Sequence, residues 1–317
     1  MTNSTNDSHS IRPAVARSVR SGSVELAVFE QGNPTGPTLV LVHGWPDTHQ
    51  LWQHVVPHLT DRFRVVSYDT RGSGRSTVPT AVADYRLEFL AQDLFAVLDA
   101  VSPDRPVHLL AHDWGSVESW QAVCEPGAER RIASYTSVSG PNLDHLGTWL
   151  RAGFTNPTPR GVYKRLTQAV ASAYTVLFQT PGLGPLPFRL GISRIWPTFL
   201  RFFDGLDPAL VHPAPTLRSD MITGLKRYRA NIRPKLRHPA ERRTTVPVQL
   251  ILSTRDRAVR PVGYEDIDRW VPDLRRREIP AGHWSPISHA ADLARLSVEF
   301  VDAVIARDSE DGTAANS

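Results

Sequence analysis

A single cysteine, Cys124, stands among 317 residues, which excludes an intrachain disulfide and a cysteine-based metal cluster and is compatible with a reducing compartment. On the helix expected after residue 113, that thiol should pack as a small apolar group. No apolar run reaches the length that spans a bilayer. The first ten residues, MTNSTNDSHS, are polar throughout and lack the basic start and apolar stretch of a secretory signal. A cytoplasmic protein without membrane insertion is expected. Charge of one sign is also scarce in excess, since 36 Lys and Arg against 32 Asp and Glu leave a net +4. The basic residues are dispersed or in short clusters such as Arg275, Arg276 and Arg277, and no basic stripe interleaves with aromatics as in a nucleic-acid footprint. His54 and His58 are four apart, but Pro57 lies between them and no glutamate follows His54, so metalloprotease logic is missing. Neither a metal nor a cofactor is implied.

What the sequence does have is 41% hydrophobic content, ample for one large core. Short apolar runs bounded by Gly, Pro and Asp recur: SVELAVFEQG, PTLVLVHGW, FRVVSYDTRG, PVHLLAHDWG and IASYTSVSGP. Between the later ones, LEFLAQDLFAVLDAV has its apolar residues at helical spacing. Strands alternating with helices predict a mostly parallel central sheet flanked by helices, an α/β fold. After Pro141 the pattern turns aromatic-rich, helix-prone and broken by Pro and Gly. Strand character resumes with VPVQLILSTRD and LRRREIPAGHW, and ADLARLSVEFVDAVIA reads as a final helix. The expected organisation is a core of residues 11–141 and 244–306, an inserted helical cap of residues 142–243, and flexible tails at 1–10 and 307–317.

The chemistry gathers at strand ends. In LLAHDWGS, Ala111 and Gly115 flank Asp113, and small residues on both sides suit a sharp strand-to-helix turn that lifts its central side chain above the sheet. Here that side chain is a carboxylate. The competing reading is that Asp113 merely caps the helix starting at Trp114. Downstream, Asp256 follows VQLILS and His283 lies in AGHW, so that three such residues stand at successive strand ends. Upstream, HGWP places His43, Gly44, Trp45 and Pro46 in the loop after an early strand.

With HGWP, DTRGSGRS at 69–76, HDWG, the Asp256 loop and GHW in this order, the chain resembles the epoxide-hydrolase branch of the α/β-hydrolase superfamily from about Gly22 to Ala306. The resemblance implies Asp113 as nucleophile, His283 as base and Asp256 as its relay acid, with the backbone N–H groups of Trp45 and Trp114 forming an oxyanion hole. Asp144, after SGPN, is a rival relay acid. Two matches lie in the insertion: Tyr174, ahead of FQTPG, and Tyr228, in GLKRYRANIRP, stand where that family has its two cap tyrosines. Ala111 and Ser253 replace glycines frequent in the family, and each is small enough to fit.

The expected reaction opens an epoxide to a vicinal diol through an aspartyl ester, with water as co-substrate. Trp45, Trp114, Phe178 and Trp284 are expected to contact substrate. The insertion is aromatic through Trp149, Phe178, Phe188, Trp196, Phe199, Phe202 and Phe203, which suits a lid over an apolar pocket and a bulky lipophilic or natural-product epoxide. No Gly-x-Ser-x-Gly occurs, which argues against a serine esterase. A haloalkane dehalogenase-like hydrolase remains an alternative, although Trp45 stands where its halide-holding asparagine would be. A non-catalytic receptor on the same scaffold is another. A homodimer is left open.

Overall fold

The computed structural model describes residues 15–155 and 158–314. An eight-stranded sheet runs in the spatial order β1 (Val15–Ser21), β2 (Val24–Gly32), β4 (Arg64–Tyr68), β3 (Thr38–Val42), β5 (Val107–His112), β6 (Ile132–Val138), β7 (Val248–Ser253) and β8 (Leu274–Ile279). β1 pairs antiparallel with β2 and β2 with β4, and every later pairing is parallel. Each apolar run becomes a strand. β1 was not anticipated, because VARSVRS alternates small and basic residues. Only its β2 side is paired, and such an edge strand needs little apolar character.

Side chains leave the central strands alternately to two apolar layers. Leu39, Leu41 and Leu110 enter one, with Trp52 and Phe63, and that layer continues into the insertion through Leu200, Leu217 and Leu225. Val40, Val42 and Leu109 enter the other, with Leu94, Leu98, Trp120 and Tyr135. α1 (Leu87–Val101) buries Leu87, Leu90, Leu94, Leu98 and Val101, the three-and-four spacing that makes one apolar stripe. α2 (Trp114–Val123) follows β5, and Cys124, half-buried at its end, has the Asn142 amide 3.7 Å from its sulfur.

Between β6 and β7 the described residues form α3 (Leu143–Thr155), α4 (Pro159–Ala171), α5 (Tyr174–Gln179), α6 (Leu186–Leu190), α7 (Trp196–Asp204) and α8 (Leu217–Arg237). α9 (Ser285–Ser288) and α10 (Ala290–Ala314) end the chain's described part. The tail expected from 307 is corrected here: α10 continues through Ala314, with no proline to stop it and with Arg307 Nη1 2.6 Å from Asp273 Oδ2. The tail expected at 1–10 lies outside the described residues. No helix among the described residues is long and apolar enough to cross a membrane.

α8 is tied to the sheet domain by polar side chains on its inner face. The buried Arg227 donates to Arg71 O at 2.9 Å and to Thr70 Oγ1, and Asn231 donates to Tyr85 O at 2.8 Å while accepting from Leu87 N–H at 2.9 Å. Asp220 accepts from Gly74 N–H at 3.2 Å. The DTRGSGRS loop is thus the seat of this helix. One turn from Arg227, Gly224 lets the Trp45 indole lie against the helix backbone, where Trp45 Nε1 donates to Met221 O at 3.0 Å. A Cβ at residue 224 would stand 2.1 Å from Trp45 Cδ1. Gly224→Ala should therefore destabilise the protein by about 1–3 kcal/mol in urea unfolding, reversing the gain of about 1 kcal/mol that alanine brings to an open helical site. A variant as stable as the parent would show that α8 does not approach Trp45 this closely.

Candidate active site

β5 ends at His112 and α2 begins at Trp114, so one residue makes the turn. Asp113 takes φ 50° and ψ −124°, a conformation that costs a non-glycine residue about 1–3 kcal/mol. Neighbours hold it there. Asp113 N–H donates to Val138 O at 3.0 Å, and its carbonyl accepts from Val117 N–H at 2.9 Å. Gly115 passes so close to β3 that a Cβ there would lie 2.3 Å from Val42 O. The side chain makes no capping hydrogen bond to α2, so the helix-cap reading is not what the carboxylate does.

Its two oxygens have different surroundings. Oδ2 accepts from Trp45 N–H at 2.8 Å, and the nearby Trp114 N–H helps to hold the carboxyl low. Oδ1 faces His283 Nε2 at 3.6 Å. His283 Nδ1 is 2.9 Å from Asp256 Oδ2, while Asp256 Oδ1 accepts from the N–H groups of Ala258 and Val259 at 2.7 and 2.8 Å. The rival acid, Asp144, is engaged elsewhere: it accepts from Lys235 Nζ at 3.3 Å and Ala240 N–H at 3.0 Å. Asp256 is the carboxylate beside His283.

Burial opposes charge on His283, but the Asp256 and Asp113 carboxylates outweigh it and hold the imidazolium well above the ordinary histidine range. Burial pushes Asp113 up, and the bonds and charge of His283 push harder the other way, so its carboxyl titrates below the ordinary range. Two further histidines stay neutral through burial, His43 and His112, each with its pKa pushed down to about 4. Thr70 N–H donates to His43 Nε2 at 3.0 Å, so the ring proton sits on Nδ1 and goes to Gly44 O at 2.8 Å, fixing the loop that aims Trp45 N–H.

The insertion closes over this group. Tyr174 starts α5, Tyr228 sits inside α8, their rings are 6.4 Å apart, and their phenols interact. Burial, reinforced by nearby negative charge, raises both phenols above the ordinary tyrosine value, so both remain protonated donors at neutral pH. A cavity of about 270 Å³ is lined by Asp113, His283, Tyr174, Tyr228 and Trp45, with Phe178, Phe188, Trp196, Phe199, Phe203 and Trp284 supplying apolar wall. Of the expected contacts, Trp114 differs: its backbone serves Asp113, but its ring packs edge-on to Tyr228 at 4.8 Å and is not in the lining. Trp149 is buried away from the cavity beneath Arg165, and Phe202 points outward.

The family model for the alpha/beta hydrolase fold matches residues 37–184. The chain has the α/β-hydrolase fold, and its relatives include epoxide hydrolases. Over 285 residues it is 44% identical to "Probable oxidoreductase EphD" of Mycobacterium tuberculosis, covering 88% of this chain and 48% of that protein. It is also 31% identical over 193 residues to "Epoxide hydrolase A" of the same organism, covering 61% of this chain and 55% of the relative. The chain thus spans about half the length of these curated relatives. Among solved structures, epoxide hydrolase VrEH1 of Vigna radiata superposes with a TM-score of 0.70 at 22% identity over 92% of this chain and 98% of that one, a likeness of fold.

Within this α/β-hydrolase frame, two residues escaped sequence reasoning. Asp204, the last residue of α7, accepts from His283 N–H at 2.6 Å and from Trp284 N–H at 2.8 Å, tying the insertion to the loop that carries His283. A carboxylate at a helix C-terminus opposes the helix dipole, and that unfavourable placement was the available signal. Asp47 was also passed over; burial pushes it up to about 7, and Trp284 Nε1 donates to it at 3.0 Å. Asp204→Ala should free both N–H groups, each bond to a charged acceptor being worth about 1.5–3 kcal/mol. Hydrogen exchange at His283 and Trp284 should then accelerate by roughly tenfold to a hundredfold while the sheet stays protected. Unchanged exchange would deny Asp204 a positioning role.

Proposed function

We propose that this α/β hydrolase opens lipophilic epoxides to vicinal diols through an ester on Asp113. The observation that carries this reading is the pair of protonated phenols facing a carboxylate with one oxygen held and one free, inside an apolar cavity. Epoxide opening creates an alkoxide on the substrate itself, and a leaving oxygen that basic needs hydrogen bonds and a proton as it forms.

In the first step Oδ1 of Asp113 attacks an epoxide carbon as its C–O bond breaks. One phenol delivers a proton to the oxygen, the other supports it with a hydrogen bond, and the His283 imidazolium restores the phenol's proton. Esterification removes the Asp113 charge that helped hold the proton on His283, so the imidazole becomes a base when one is needed. His283, oriented by Asp256, then takes a proton from water, and the hydroxide adds to Asp113 Cγ while the Trp45 and Trp114 N–H groups receive the oxyanion. Collapse breaks the bond to the substrate oxygen, which leaves as the diol with the proton from His283. The proton remaining on the Asp113 carboxyl returns to His283.

Against a dehalogenase, the Trp45 indole N–H is already donated to Met221 O and is not offered to a halide, while two proton donors are present. Against a receptor, labelled water entering the Asp113 carboxyl during turnover is the discriminating readout. The oxidoreductase in the mycobacterial relative's name belongs to a whole protein of which this chain covers 48%.

Asp113→Asn should abolish alkylation by an aryl epoxide without unfolding the protein, assayed on fresh material with the mass at residue 113 verified, since slow deamidation would restore aspartate. His283→Gln should accumulate an adduct of substrate mass on Asp113. Tyr174→Phe and Tyr228→Phe should each slow alkylation by roughly a hundredfold, the cost of one lost oxyanion donor. If both tyrosine variants open epoxides at the parent rate, the reading loses its basis.

The pH dependence follows from the same groups. Asp113 is ionised from below the ordinary carboxylate range upward, and the phenols are protonated to above the ordinary tyrosine range. Single-turnover alkylation should therefore be flat from about pH 5 to pH 9 once Asp47, which titrates at about 7 beside Trp284, is replaced by Asn. A titration inside that window, followed by quenched-flow mass spectrometry, would contradict the assignment.

A further inference from the structure

The chain's modest net charge hides a strong asymmetry. Residues 142–243 carry sixteen Lys and Arg against five Asp and Glu, a net +11, while the rest, with twenty against twenty-seven, carries −7. Outside the insertion several exposed arginines are paired: Arg62 with Asp302, Arg276 with Asp268, Arg295 with Glu299 and Arg307 with Asp273. On the insertion's outer face Arg189, Arg194 and Arg201 are exposed, and their guanidinium groups have no carboxylate partner among the described residues.

The same face is unusually apolar. Leu177 and Phe199 line the cavity and are also exposed, which places its mouth there. Around them Leu186, Leu190, Ile195 and Phe202 stand one or two residues in the chain from lining residues, with Leu190 77% and Phe202 76% exposed. A rim of exposed apolar side chains next to residues that line a cavity mouth marks an interaction surface. Unpaired guanidinium groups set among leucines and phenylalanines match an interface that is anionic outside and hydrocarbon inside.

We propose that this rim docks on an anionic lipid surface, where a lipophilic substrate passes into the cavity mouth without crossing water. A second copy of the chain fits less well, because two faces of the same sign repel. A rigid protein partner would close the mouth that the rim surrounds. Docking itself is independent of the reaction; delivery rests on the reading of the cavity as an epoxide site.

The test is sedimentation of the full chain with vesicles of phosphatidylcholine, alone or with about 30% phosphatidylglycerol. Binding should require the anionic lipid and weaken as salt is raised. Each of Arg189→Gln, Arg194→Gln and Arg201→Gln should weaken it by about fivefold, and the three together by roughly a hundredfold. Leu190→Ser with Phe202→Ser should weaken it as well. All these variants should keep the parent rate on a water-soluble epoxide but slow on a lipophilic epoxide held in anionic vesicles. Equal binding to neutral vesicles, arginine variants that bind like the parent, or binding to polyglutamate but not to vesicles would overturn the proposal. So would self-association that Phe202→Ser abolishes. Vesicle binding by a protein that proves inert toward all epoxides would leave docking standing and remove only delivery.

Discussion

The hydrogen bond from Trp45 N–H to Asp113 Oδ2 joins the two loops at the top of the sheet, and much of the surrounding architecture serves to keep it. Asp113 must sit in a strained backbone conformation to reach it, which needs Gly115 packed against β3 and Val138 accepting the Asp113 amide. Trp45 must be held from both sides, and His43 does so through a backbone bond while α8 does so through Met221 O. Once Oδ2 is committed, Oδ1 is the oxygen left facing His283 and the cavity. The asymmetry of one carboxylate thus comes from its neighbours and not from its own chemistry.

The insertion is positioned by buried polar contacts as well as by apolar packing. Arg227 and Asn231 satisfy main-chain groups of the sheet domain that would otherwise be buried without partners, and leaving such groups unpaired costs more than the bonds themselves contribute. Tyr228 follows Arg227 directly, so the contact that seats α8 also sets where that phenol points. Asp204 performs a similar service from the other direction, because α7 reaches down to the two amides of the His283 loop. The two halves of the site are therefore linked at both the tyrosine and the histidine ends.

Burial and charge act in opposition throughout the site, and their balance assigns protonation. Desolvation alone would neutralise Asp113, Asp256 and His283, yet their mutual attraction keeps all three charged at rest. His43 and His112, equally buried but without a carboxylate bonded to the ring, lose their charge and act as neutral hydrogen-bond groups. The phenols are driven the same way as those histidines, toward the uncharged form, and for a phenol that form is the donor.

Local sequence determined a good deal. Strands β2 to β8, α1, the elbow at Asp113 and the order of Asp113, Asp256 and His283 were legible because apolar period, small residues at tight turns and motif spacing are local properties, whereas the two tyrosine positions came from the family resemblance. β1 was not, since an edge strand paired on one side needs no distinctive pattern, and the run of α10 past 306 depends on propensity and one distant ion pair. Only the fold decided between Asp256 and Asp144, because that choice is a matter of which carboxylate the chain brings beside His283. Likewise, only the fold separated the aromatic residues that wall the cavity from Trp149 and Phe202, and gave Asp204 its partners some eighty residues away in the chain. Residue type and spacing specify what a side chain can do, whereas contacts across long sequence separations specify what it meets, and these arise only when the packed elements close on one another.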